Sequence, residues 1–140
     1  MLYQIMTKYM KPKTDKEKFT EKFHLFLEES GFVTFTNRGK KNIMINKEEY
    51  ELYVSIHNPH CCVDICATTK FKFIRFQLSF DYHKMMEPLT ILLNNISFIA
   101  SEIWKDFSDH NYISFSANEY FVFYGNGISN KYDIIKMLEF

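Results

Sequence analysis

Glycine and proline are scarce in this chain, four and three residues among 140. That scarcity leaves no room for a Gly-rich linker or a disordered tail. The glycine motifs that cradle a phosphate or expose a nucleophile, G-x-x-x-x-G-K, G-x-G-x-x-G and G-x-S-x-G, are all missing. Net charge is missing too. Seventeen basic residues balance seventeen acidic ones, so no global field draws the molecule to nucleic acid or to an anionic membrane. No apolar run approaches the roughly 20 residues that span a bilayer. The opening "LYQIMTKYMKPK" has no basic segment ahead of an apolar one and no small-residue cleavage site, and does not read as a signal peptide. Cysteines number three, two of them adjacent. A disulfide framework is therefore not expected, and the natural setting is a reducing cytoplasm.

What the chain does have is aromatics: fifteen Phe, nine Tyr and one Trp. Such side chains suit strand-rich cores and sticky interfaces. The length predicts one domain, residues 1–140, by the prior of about 100–200 residues per domain. Charge is uneven along it. Residues 1–50 carry ten Lys/Arg against seven Asp/Glu, and residues 51–140 carry seven against ten. Most of the basic excess lies in "KYMKPKTDKEKFTEK", a solvated entrance to a helix.

That helix is expected over 14–30. "TDKE" forms a capping box on Thr14 and Glu17. Phe19, Phe23, Phe26 and Leu27 then recur on one face, and Gly31 can end the helix in a left-handed cap with Phe32 folded back. From Phe32 the period changes to two. "FVTFT", "NIMIN", "YELYVSIH" and "CCVDICA" read as strands, with "NRGKK" and "KEE" as separators and "NP" as a turn. "KFKFIRFQLSF" is a further strand whose alternation slips at Phe73–Ile74, where a β-bulge would restore it. Over 88–107, Leu89, Leu92, Leu93, Ile96, Ile99, Ala100, Ile103, Trp104 and Phe107 form an apolar helical stripe, with Pro88 suited to the first turn. "YISFS" and "YFVFY" make two more strands, and Ser129 can cap a last helix carrying Ile134, Ile135 and Leu138. Such short connections predict an α+β fold: a mostly antiparallel meander of five to seven strands, order α-β(4-5)-α-β-β-α, with helices on one face. Expected core positions include Phe23, Phe26, Leu52, Val54, Val63, Ile65, Leu92, Ile96, Ile99, Trp104, Phe121 and Phe123.

The stretch "IHNPHCCVDICA", residues 56 to 67, gathers all the cysteines with His57 and His60. A zinc knuckle needs a Cys-x₂₋₄-Cys turn and a second ligand pair, and neither "HCC" nor "CxxxC" supplies one. A nucleophilic cysteine needs a base and a setting that lowers its pKa. Mid-strand cysteines beside Val63 and Ile65 have no such setting, which leaves Cys62 with His57 or His60 as the sole enzyme alternative. Cys61 reads as a small core hydrophobe. His24, His83 and His110 are scattered and read as surface or cap residues. "KFKFIRF" interleaves basic and aromatic residues as a single-stranded nucleic-acid platform does, but simple alternation puts Phe71 and Phe73 opposite Lys72. No cofactor, metal or catalytic residue is therefore expected.

The segment order resembles that of the class I type III secretion chaperones: an amphipathic helix ending in "EESGF", a meander, a long apolar helix, then a hairpin leading to a last helix. That resemblance implies a homodimer holding an extended effector segment. Small size, no catalytic motif, abundant aromatics and reduced cysteines also resemble the immunity proteins of bacterial contact-dependent toxins. That resemblance implies a non-catalytic cytoplasmic protein, monomeric or dimeric, that neutralises a toxin or enzyme by covering it, with neither nucleic acid nor membrane as partner. A sheet covered on one side leaves the other free. Alternation places Glu51, Tyr53, Ser55, His57, Asp64, Lys72, Arg75 and Gln77 there, and Tyr53, His57, Asp64, Lys72 and Arg75 are the expected partner-binding residues.

Overall fold

The computed structural model describes residues 12–57 and 61–118, together with the backbone of 122–125 and 131–133. The chain is α+β: helix α1 (Asp15–Glu29), strands β1 (Val33–Phe35), β2 (Arg38–Ile45), β3 (Glu48–His57), β4 (Cys62–Thr68) and β5 (Phe73–Ser79). Helices α2 (Tyr82–Asn94) and α3 (Ile96–Asp106) and strands β6 (Tyr112–Ala117), β7 (Val122–Gly125) and β8 (Lys131–Asp133) follow. All eight strands pair in chain order in one sheet.

Local chemistry explains the entry into this sheet. Thr14 Oγ1 accepts from the amide of Glu17 at 3.2 Å, and the Glu17 carboxylate takes the Thr14 hydroxyl at 3.1 Å, so the capping pair forms through side chains. At the other end Gly31 has φ +86°. The Phe32 amide donates to Leu27 O at 2.9 Å and that of Gly31 to Glu28 O at 3.1 Å, the Schellman pattern. Buried Phe32 thereby meets buried Leu27.

Neighbouring strands are antiparallel except β5 and β6, which run parallel. Parallel neighbours need a long crossover, and α2 with α3 supplies it. One face of the sheet, with Leu52, Val54, Val63, Ile65, Ile74, Phe76, Leu78, Ile113 and Phe115, joins Phe19, Phe23, Leu89, Leu92, Ile96, Ile99 and Ile103 of the helices in one buried core. Trp104 is buried with them and Phe26 packs partly against them. Phe121 and the side chain of Phe123 lie outside the described residues.

Several expectations change, and "KEE" is one of them, since Glu48 and Glu49 already belong to β3. "NRGKK" is no separator: β2 runs through it, and the turns shrink to Thr36–Asn37 and Asn46–Lys47. Asn37, Asn46 and Lys47 supply the positive φ values that tight hairpins require. Gly39 of that stretch lies inside the strand, and glycine suits the position because a Cβ there would come within 2.8 Å of Leu27 Cδ1. There is no bulge at Phe73–Ile74. The β4–β5 register is regular from Thr68↔Phe73 to Cys62↔Ser79, and the apparent slip marks the end of the turn before β5.

The long apolar stripe is two helices rather than one. Helix α2 begins at Tyr82, so Pro88 lies inside it and not in its first turn. Asn95 separates the two helices with φ −125°, and its Nδ2 donates to Ile91 O at 2.8 Å. A side chain competing for the helical ladder is a recognised cause of a break. Finally, Lys131–Asp133 pairs antiparallel with β7 where the helix after Ser129 was expected to begin. Ser129, Ile134, Ile135 and Leu138 lie outside the described residues, as do the "NP" turn and His60.

Two substitutions test this packing. Ile96→Ala, at a buried site of α3, is expected to cost about 2–5 kcal/mol in a denaturant titration. Gly39→Ala must displace fully buried Leu27 and is expected to cost about 1–3 kcal/mol. A neutral result for either would mean that α3 or α1 does not pack on the sheet as described.

Candidate functional site: the open face of the sheet

With the helices on one side, every second residue of the strands turns to the other. Cross-strand register arranges these side chains in rows. Lys40, Tyr53, Cys66, Arg75 and Ser114 form one, and Arg38, Ser55, Asp64, Gln77 and Ser116 the next. Glu51, Thr68, Phe73 and Tyr112 form a third. At the β1 edge the first two rows end in Val33 and Phe35, respectively 64% and 50% exposed.

Asp64 is the hub. It is the sole buried charged residue among those described, at 9% exposure. Its Oδ2 lies 2.6 Å from His57 Nε2, and its Oδ1 lies 3.6 Å from Arg75 Nε. The latter distance is too long for a hydrogen bond. Asp64 Oδ1 and Arg75 Nε accordingly have no hydrogen-bond partner, although their charges attract. A second network flanks the first. The Tyr53 hydroxyl donates to Glu51 Oε2 at 2.7 Å, Lys40 Nζ lies 3.4 Å from Glu51 Oε1, and the same ammonium sits 5.5 Å from the Tyr53 ring centre. The hydrogen bond from Tyr53, followed by that from Lys40, holds the Glu51 carboxyl below its usual range.

The expected site residues thus divide. Tyr53, His57, Asp64 and Arg75 share the open face. Lys72 does not: it precedes β5 in the turn, and its ammonium lies 3.8 Å from Glu48 at the end of the sheet. Alternation failed there because Lys72 is not yet in the strand. The face also holds residues the sequence reasoning passed over. The Phe73 and Tyr112 rings stack across β5 and β6, 4.8 Å apart and 8° from parallel, and Tyr112 is 58% exposed. Phe73 therefore stands on the same face as Arg75, so the simple separation of aromatics from charge in "KFKFIRF" does not hold. Phe71, in the turn, is 75% exposed. Plain alternation of "FIRFQLS", without a bulge, would have found Phe73, and that of "YISFS" would have found Tyr112.

The cysteines can now be placed. Cys61 packs partly against the core, as a small hydrophobe would, and lines a cleft of about 290 Å³ with Ser79, Asp81 and Lys84. Cys62 lies opposite His57 in the register, but the imidazole bonds Asp64 and the thiol accepts from Gln77 Nε2 at 3.2 Å. Burial pushes the Cys62 thiol above its ordinary pKa, and it pushes Cys61 and Cys66 up to about 11. A nucleophilic cysteine needs the opposite shift. Among the described residues, no group of three or more His, Cys, Asp and Glu side chains is placed to hold a metal ion.

Comparison with protein-family models, with curated proteins and with solved structures yields no match to this chain. Functional inference therefore rests on the geometry of the face itself.

The raised thiol pKa values have a measurable consequence. The thiolate fraction at pH 8 falls about a hundredfold when a pKa moves from 9 to 11, since each unit is a factor of ten. Iodoacetamide at pH 8 is expected to alkylate Cys61 and Cys66 at least about tenfold more slowly in the folded protein than in urea. Peptide mass spectrometry follows each site. Equal rates in both states would place the thiols in water instead of in the sheet.

Proposed function

We propose that this chain is a non-catalytic protein-binding protein that covers a partner with the open face of its sheet, in the manner of an immunity or inhibitor protein. One observation carries the reading. Among the described residues, the face without helices sets exposed apolar and aromatic side chains, Val33, Phe35 and Tyr112, around a polar centre of Asp64, Arg75 and His57. Aromatic residues and arginine are enriched where binding energy concentrates. The partner that suits this face offers apolar surface to its rim and carboxylates to Arg38 and Lys40, which flank the β1 edge. The raised thiol pKa values favour binding over cysteine chemistry.

A second reading has one specific support. The stacked Phe73 and Tyr112 beside Arg75 offer a surface on which a base could stack. Glu51 stands in the row of the stacked pair and Asp64 lies beside Arg75; both would repel phosphate, so the protein partner is preferred.

The test is capture of the partner from native lysate, followed by titration of the purified pair. Tyr53→Ala and Arg75→Ala are each expected to weaken binding by more than about 1 kcal/mol, roughly fivefold in Kd, with thermal unfolding confirming that both variants fold. If both fold and bind like the parent chain, the interface lies elsewhere. Saturable binding of single-stranded oligonucleotide, lost in Tyr112→Ala, would favour the second reading.

A further inference from the structure

The chain carries no net charge, and proteins near zero net charge associate readily. It also keeps aromatic rings in contact with water. Phe35 on strand β1 and Phe71 in the turn before β5 are exposed, and Tyr53 stands on the open face. Exposed rings on a sheet invite pairing with a second copy. No overall repulsion opposes that pairing, so any protection has to be local.

The geometry supplies it. Arg38 is the cross-strand partner of Phe35, and its guanidinium carbon lies 5.5 Å from the ring centre. Lys40 is the cross-strand partner of Tyr53, with its ammonium also 5.5 Å from the ring centre. Lys70 precedes Phe71, and its ammonium lies 5.7 Å from that ring. All three cations stand within the roughly 6 Å over which the face of a ring attracts a cation. A hydrated cation in that place must lose water before another apolar surface can pack on the ring. Charged side chains, lysine above all, blunt exposed strands in the same way. Lys41 makes the contrast. Its ammonium lies 4.7 Å from the Phe32 ring, but that ring is buried and the same ammonium donates to Ser30 O, so this pair fastens the turn after α1.

We infer that Arg38, Lys40 and Lys70 are guards of the open face and its adjoining turn. Each covers a ring that would otherwise join two copies of the chain, and together they keep the face free. Their purpose rests on the open-face reading; the guarding itself is testable without a partner.

The test sets two variants of equal charge against each other. Arg38→Gln/Lys40→Gln/Lys70→Gln removes the guards, and Lys16→Gln/Lys18→Gln/Lys22→Gln removes as many exposed cations from α1. Net negative charge by itself should make both variants more soluble than the parent. In sedimentation velocity at a concentration on the order of 100 μM, the parent and the α1 variant are expected to stay monomeric while the guard variant forms dimers or larger species. Fluorescence of the apolar dye ANS is expected to rise about threefold or more in the guard variant alone. Adding Phe35→Ser and Phe71→Ser to that variant should restore the monomer. Should the triple variant melt far below the parent, Arg38→Gln and Lys70→Gln taken singly decide by the same measurements. Four results would overturn the proposal: a guard variant that stays monomeric and dark to ANS, equal association of the α1 variant, no effect of the two serines, or a parent chain that already associates. Each of these leaves the open-face reading to be decided by Tyr53→Ala and Arg75→Ala against the captured partner.

Discussion

Among the described residues the helices cover the sheet on one side only, and the rest of the structure depends on that. Helices α1, α2 and α3 all lie against the face that carries Leu52, Val54, Val63, Ile65, Phe76 and Phe115, so each strand must hold its apolar residues strictly in register with its neighbours. A slip of one residue would exchange the two faces throughout. The regular pairing from β2 to β6 is the consequence, and it turns a list of alternating residues into a surface with rows. Burial at about 25 cal/mol per Å² of apolar area drives one face inward. What the other face can do is decided by what remains.

On that face the sheet holds a charge almost out of water. Asp64 lies in a central strand, between β3 and β5, and side chains from both neighbours fold over it. Arg75 compensates it from one neighbouring strand, and the His57 ring bonds it from the other. Removing one partner of a buried charge is more costly than the pair is worth, so the cluster ties the three central strands to one arrangement of side chains. Tyr53, Glu51 and Lys40 form a shallower network beside it. A surface built this way is set in advance, which lowers the ordering cost of the proposed association.

Among the described residues, β1 pairs with only part of the β2 edge. The chain leaves α1 through the Schellman turn at Gly31, where Phe32 folds back on Leu27, and β1 then covers only three residues of β2. At the α2–α3 junction Asn95 interrupts the helix beside the same edge. Each feature has a local cause. Gly39 links the two requirements: Leu27 packs directly onto its backbone, which lets α1 descend onto the sheet while β2 continues beneath it.

Much of this was legible in the sequence. The Thr14 cap, the Gly31 stop, the period-two strands and the stripe from Leu89 to Trp104 are local patterns, and local patterns report secondary structure and the inward face directly. The α+β class and the placing of Tyr53, His57, Asp64 and Arg75 on one outer surface followed from them. Other features depend on neighbours that are distant in sequence. Gly39 and Pro88 look like punctuation because their usual meaning is local, yet tertiary packing holds one inside a strand and the other inside a helix. Phe73 and Tyr112 are 39 positions apart and stack only because the α2–α3 crossover returns β6 parallel to β5. Periodicity tells which way a side chain points; only the completed sheet decides what it stands beside.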